Sequence, residues 1–156
     1  MRKIFLIISF CVSLFFPKVE RSFYNEIELS FVDSIQIELI RDGDSEIYKK
    51  GTMKYGVILH EFMSMLKGSY QMPALGVSID DLTRKEKNNG IWLEFKFNGV
   101  NYNSDLPFDS LLVKIERDNY GFNIIRKYEN KYDGRCFYIS LNGNNMDNLY
   151  KYLINI

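Results

Sequence analysis

Histidine and tryptophan each occur once in this 156-residue chain, cysteine twice and proline three times. Each scarcity removes a chemistry. His60-Glu61 opens like the zinc-protease helix pattern, but Ser64 stands where a second histidine is required. Cys11 and Cys136 are too few for a cysteine-rich zinc site. Neither sign of charge dominates, with 20 basic and 20 acidic residues, so nothing in the composition marks a nucleic-acid partner. The glycines scatter among turns and form no phosphate-binding loop. Asp42, Asp44 and Glu46 fall short of a calcium-loop spacing and read as a polar turn. Asp105 and Asp109 flank Leu106-Pro107-Phe108 and read as turn caps. No metal ligand set, cofactor or catalytic group is assigned on these grounds.

What is abundant is aromatic and apolar. The first 17 residues begin with Arg2 and Lys3, continue as an apolar run from Ile4 to Phe16, and stop at Pro17. That is the layout of an export signal, and a helix of this length falls short of the ~30 Å hydrocarbon core. Ile8-Ser9-Phe10-Cys11 resembles a lipoprotein signal, yet Phe10 occupies the place that needs Gly or Ala. Residues 1–17 are therefore expected to be a signal peptide or membrane anchor, 18–33 a linker or edge strand, and 34–156 a single α+β domain. The chain without its first 17 residues has 18 basic and 20 acidic residues, a net charge of −2.

Hydrophobic period assigns the elements. Ile35, Ile37 and Leu39 alternate with polar residues, predicting a strand that turns at Asp42-Gly43 into a hairpin. Tyr55, Leu59, Phe62 and Leu66 recur at helical spacing, with Thr52 as N-cap. A strand is expected from Tyr70 to Val77. The stretch 78–90 is highly charged and reads as a solvated loop. Ile91, Leu93, Phe95 and Phe97 alternate with Trp92, Glu94 and Lys96, and Asn98-Gly99 predicts a tight turn just after them. Three further strands follow, the last two joined around Asp133-Gly134. A terminal helix carries Met146, Leu149 and Leu153. The fold predicted is α+β: an antiparallel, meander-rich β-sheet with about two helices packed on one face.

Candidate site residues follow from the faces. Arg126 shares an apolar face with Phe122, Ile124 and Ile139, and there it needs an anion or a route to water. Cys136 points the other way, with Tyr138, Ser140 and Ile125. Trp92 and Tyr102 add aromatic surface suited to protein recognition. The leading expectation is a small exported protein of bacterial type that binds another protein or an envelope component through Arg126, Cys136, Tyr138, Trp92 and Tyr102. Membrane contact is confined to the N-terminal segment, and no nucleic acid is involved. Two other readings stand beside it. One is a thiol-dependent enzyme pairing Cys136 with His60, which requires hydrogen-bond reach between them. The other is an accessory protein held at the membrane by its N-terminus.

Overall fold

The computed structural model describes residues 30–156. The predicted export segment and most of the predicted 18–33 linker lie outside the described residues. Among the described residues, seven antiparallel strands form one sheet, in the order β2-β1-β4-β5-β6-β7-β3. They are β1 (Gln36–Arg41), β2 (Asp44–Lys49), β3 (Tyr70–Ser78), β4 (Ile91–Asn103), β5 (Leu106–Ile115), β6 (Gly121–Lys127) and β7 (Gly134–Ser140). Helix α1 (Met53–Met65) joins β2 to β3, α2 (Asp80–Glu86) joins β3 to β4, and α3 (Asp147–Leu153) closes the chain.

The period-2 pattern sorts side chains as expected. Leu93, Phe95, Leu111, Val113, Ile124 and Phe137 all point to one face and are fully buried. This first face meets Ile58 and Phe62 of α1 and Leu149 and Leu153 of α3. Thr52 caps α1 by accepting a hydrogen bond from the Tyr55 amide. Residues 30–32 are helical rather than a linker or strand, and they place Phe31 in the core. The Phe31, Phe62 and Phe95 rings lie 4.7 Å apart, centroid to centroid, in each pairing. Such edge-on and tilted contacts are favoured by the ring quadrupoles.

Three further expectations need correction. The charged stretch after β3 is not a loop but α2, and it lies on the second face of the sheet, so the helices do not all cover one side. Its charges are arranged to suit a helix: Asp80 and Asp81 in the first turn, Arg84 and Lys85 in the last. Arg84 Nε also bonds Asp80 Oδ2 at 2.8 Å, four residues back. The cap comes from far away, where Asp133 Oδ1 accepts the Asp80 amide at 2.7 Å. Local sequence could not reveal it.

The second correction concerns Asn98-Gly99. These residues lie within β4, inside an irregularity between Lys96 and Asn101, and the chain runs on to Asn103. The reversal is made by Ser104-Asp105, both with positive φ (48° and 62°), where Asn103 pairs with Leu106. Phe95 therefore faces Leu111, and Tyr102 faces Pro107. The third correction moves the β6–β7 reversal from Asp133-Gly134 to Glu129-Asn130, which have φ of 48° and 63° and are closed by a Tyr128–Lys131 bridge. That leaves Asp133 available to cap α2.

Candidate functional site: a cleft beneath the second-face helix

On the second face a smaller buried cluster forms from Ile40, Trp92, Leu112 and Tyr132, with Ile125 packed against it. Helix α2 sits above it, and a cleft of about 260 Å³ opens between α2 and the β3 side of the sheet. Its floor is Trp92, Ile125, Asn123 and Cys136, and its walls include Gly76 and Ser78 of β3 with Ile79, Leu82 and Thr83. Gly76 is central to this shape. A Cβ there would meet Cys136 Cβ at 3.7 Å and Asn123 Oδ1 at 3.6 Å, so the absent side chain is what keeps the cleft floor open at Cys136.

The rim is apolar and exposed. Val77, 70% exposed, lines it with Ile79 and Leu82, while Leu75, 82% exposed, lies beyond the lining on β3. No charged residue occurs from Ser69 to Ile79. β3 is the last strand on that side of the sheet order. The opposite edge, β2, differs: it carries Asp44, Glu46 and Lys49, and Arg41 bonds Glu46. Charge on an edge strand discourages pairing with another chain. β3 has none.

Beside the cleft lies an ionic network at the α2–sheet junction. Glu94 is 1% exposed on the second face. Its Oε2 accepts from Lys87 Nζ at 2.8 Å and from the Tyr132 hydroxyl at 2.7 Å, and its Oε1 meets Lys127 Nζ at 3.2 Å. Burial works against the Glu94 charge, but Lys87, Tyr132 and Lys127 together hold its carboxyl below the ordinary glutamate range. Burial first, and the neighbouring Glu94 charge second, push the Tyr132 phenol upward. Arg84, Lys87 and Lys127 all approach the Tyr132 ring within 4.9 to 5.2 Å of its centroid. The network holds α2 to the sheet and so shapes one wall of the cleft.

The structure unites only some of the residues singled out from sequence. Trp92 and Cys136 line the cleft together. Cys136 is free, 5% exposed, and shares its face with Tyr138 and Ile125 as expected. Tyr138 lies one pleat further along β7, with its ring against Gly121. Tyr102 stands on the far part of β4, 67% exposed and away from the cleft. Arg126 is on the first face, 6% exposed, opposite Leu111. Its Nε donates to the Arg135 carbonyl at 2.8 Å and its Nη1 to the Pro107 carbonyl, so neutral backbone oxygens satisfy it. Burial lowers its pKa, with a smaller opposing pull from Cys136.

His60 lies exposed on α1, which covers the first face, while Cys136 lines the cleft on the second face. The sheet stands between them, which removes the geometric premise of a thiol–imidazole pair. Residues that sequence reasoning missed are Gly76, Ile79, Leu82, Glu94 and Tyr132. The uncharged run 69–79 was a visible signal for the rim. Glu94 carried none, because a carboxylate alternating with core residues reads as a solvent-facing position.

No protein-family model, curated protein or solved structure matches the chain.

Proposed function

We propose that this is an exported protein that acts by binding another protein, not by catalysis, and that the cleft beneath α2 with the β3 rim is its contact surface. The observation that carries this reading is the set of exposed apolar residues Val77, Ile79 and Leu82 lining a cleft whose floor contains Trp92. Large apolar side chains grouped on a surface next to a pocket are the usual composition of an interface centre. Export is supported by the charged start and apolar run of residues 1–17.

The test compares the natural protein with an Ile79→Lys, Leu82→Lys variant. Both are used as bait against the envelope fraction of the cell that makes it. A partner retained by the first and lost by the second supports the reading. Identical capture profiles from the two baits would sink it. The mass of the mature N-terminus, measured from the same cells, checks the export step: an intact Met1 in a soluble cytoplasmic pool is the contrary result.

A further inference from the structure

We infer that the cleft receives a basic side chain of the partner: the aliphatic stem of an arginine or lysine lies on the apolar floor, and its cationic head meets Glu86 on the α2 wall. The inference rests on the binding reading above and names what enters the cleft. Glu86 is the only charged side chain among the residues that line it. Helical spacing puts it there. Ile79, Leu82, Thr83 and Glu86 fall on one face of α2, and that face is turned to the cleft.

Glu86 also stands against local electrostatics. Arg84 and Lys85 suit the last turn of α2, whereas a carboxylate there meets the negative end of the helix. The basic groups around it are engaged elsewhere. Arg84 bonds Asp80, Lys87 bonds Glu94 and the Tyr132 hydroxyl, and Lys114, which lies over the Trp92 ring, bonds Glu116 at 2.8 Å. Lys85 adjoins Glu86 in sequence, and neighbours at that spacing do not face each other on a helix. Among the described residues the Glu86 side chain makes no hydrogen bond or ion pair. An apolar cleft with one uncompensated carboxylate is complementary to an apolar stem with one positive charge.

The neutral polar groups of the lining match a head that only donates. Asn123 offers an amide carbonyl, and Ser78 Oγ, which donates to the Gly134 carbonyl at 3.2 Å, keeps its lone pairs. Guanidinium and ammonium groups carry several donors and no acceptor. Trp92, Ile125 and Cys136 supply the apolar bed on which long basic side chains lay their stems. The volume of about 260 Å³ falls below the ~300–1,000 Å³ of drug-sized ligand sites, which fits a single side chain.

Trp92 is the only tryptophan in the chain and lies in the cleft floor, so its emission reports occupancy. The probes are the N-acetyl, N-methylamide forms of arginine, lysine and citrulline, the last a neutral twin of arginine. The purified full chain is titrated with each. Saturable change of emission is expected with the two cations, with Kd on the order of 1 mM for groups this small. Citrulline is expected to bind about tenfold or more weakly, the worth of a charge-assisted hydrogen bond. Added salt should weaken the cations and leave citrulline unchanged. Glu86→Gln keeps the side chain's size at an exposed helix end, and it should abolish the preference for charge. Gly76→Val fills the cleft from β3 and should weaken all three probes.

Equal affinity for arginine and citrulline, no saturable binding, or a preference that survives Glu86→Gln overturns the inference. The envelope partner supplies the second arm. Loss of the captured partner from a Glu86→Gln bait supports it. A partner lost with the Ile79→Lys, Leu82→Lys variant but kept by Glu86→Gln shows that no basic side chain of the partner sits there, and the binding reading stands without it. Identical capture by all three baits sinks both.

Discussion

The Tyr132 hydroxyl donates a hydrogen bond to Glu94 Oε2 at 2.7 Å, joining positions 38 residues apart on the sheet face that α2 covers. The phenol in turn accepts from Lys87 Nζ at 2.7 Å, so one ring ties the end of α2 to the middle of β4. Cutting this tie has an acid signature. The folded pKa of Glu94 is depressed below 4.5. Its contribution to stability is therefore whole above that value and is lost as pH falls through the lower folded value. Glu94→Gln is expected to destabilise the protein by about 3 kcal/mol near neutrality, since it leaves two lysines without their carboxylate. It should also flatten the loss of stability below pH ~4.5. Urea unfolding of both proteins at several pH values checks this; parallel curves would count against it.

The alkaline limb carries the opposite sign. Burial and the adjacent Glu46 push the Tyr48 phenol to about 12, above its ordinary 10.0. The folded state then holds the proton longer than the unfolded one, so stability falls as pH rises past 10. Tyr48→Phe is expected to reduce that slope, read from unfolding midpoints between neutral and alkaline buffers.

Arg126 is expected to act as a bracket between strands. It reaches the carbonyls of Pro107 before β5's core and Arg135 in β7 with two different nitrogens. Arg126→Lys has one ammonium and cannot reproduce that fork. Both Arg126→Lys and Arg126→Met should cost about 1–3 kcal/mol, the range for stranding a buried acceptor. Thermal unfolding measures it. A lysine variant as stable as the natural protein would show that the fork is unimportant.

Gly121 faces Tyr138 so closely that a Cβ would land within the phenol and 2.8 Å from the Ile139 carbonyl oxygen. Gly121→Ala is expected to cost about 1–3 kcal/mol through overpacking. Adding Tyr138→Ala should return only part of it, because the backbone oxygen stays. Denaturant midpoints of the single and double variants supply the comparison.

The tight turn offers a stabilising change. Ser104 and Asp105 hold positive φ, which a side chain disfavours by roughly 1 kcal/mol per residue. Replacing them with Asn-Gly, the pair that two-residue turns prefer, should raise the melting temperature by about 2–4 °C. Gly99→Ala should do the reverse, since Gly99 has a φ of 96°.

Much of the fold was legible from period alone. Ile37 and Leu39, Leu93 and Phe95, and Ile124 and Phe137 were placed on the buried face by alternation, and that is where they lie. The β1–β2 hairpin was readable because Asp42-Gly43 is itself the turn, with Arg41 opposite Asp44. The failures share a cause. Asn98-Gly99 has turn chemistry, but β5 pairs past it, and tertiary pairing decided where the strand ended. Helix α2 hid because its apolar contacts are few and its cap, Asp133, is distant in sequence. The site was legible only in pieces. Cys136 was put on one face with Ile125 and Tyr138, and Trp92 was singled out only as an aromatic, but the cleft joining Trp92 and Cys136 depends on α2 lying above and on Gly76 leaving a gap. Tyr102 and Arg126 were chosen for chemical character, and neither reaches the cleft.

Helices α1 and α2 cross opposite faces of the sheet, one outward to β3 and one back to β4, and this shapes the order of assembly. Strands β4 to β7 follow one another in sequence and pair with their neighbours. They can close as short hairpins. β3 must instead find β7 across more than fifty residues, as Ser78 opposite Gly134 shows. Its docking carries a larger loop entropy and should come late, after the meander exists to receive it. The β3 amides should then gain protection after those of β5 and β6 in pulsed exchange during refolding. The last strand to be laid down is then the one that walls the cleft.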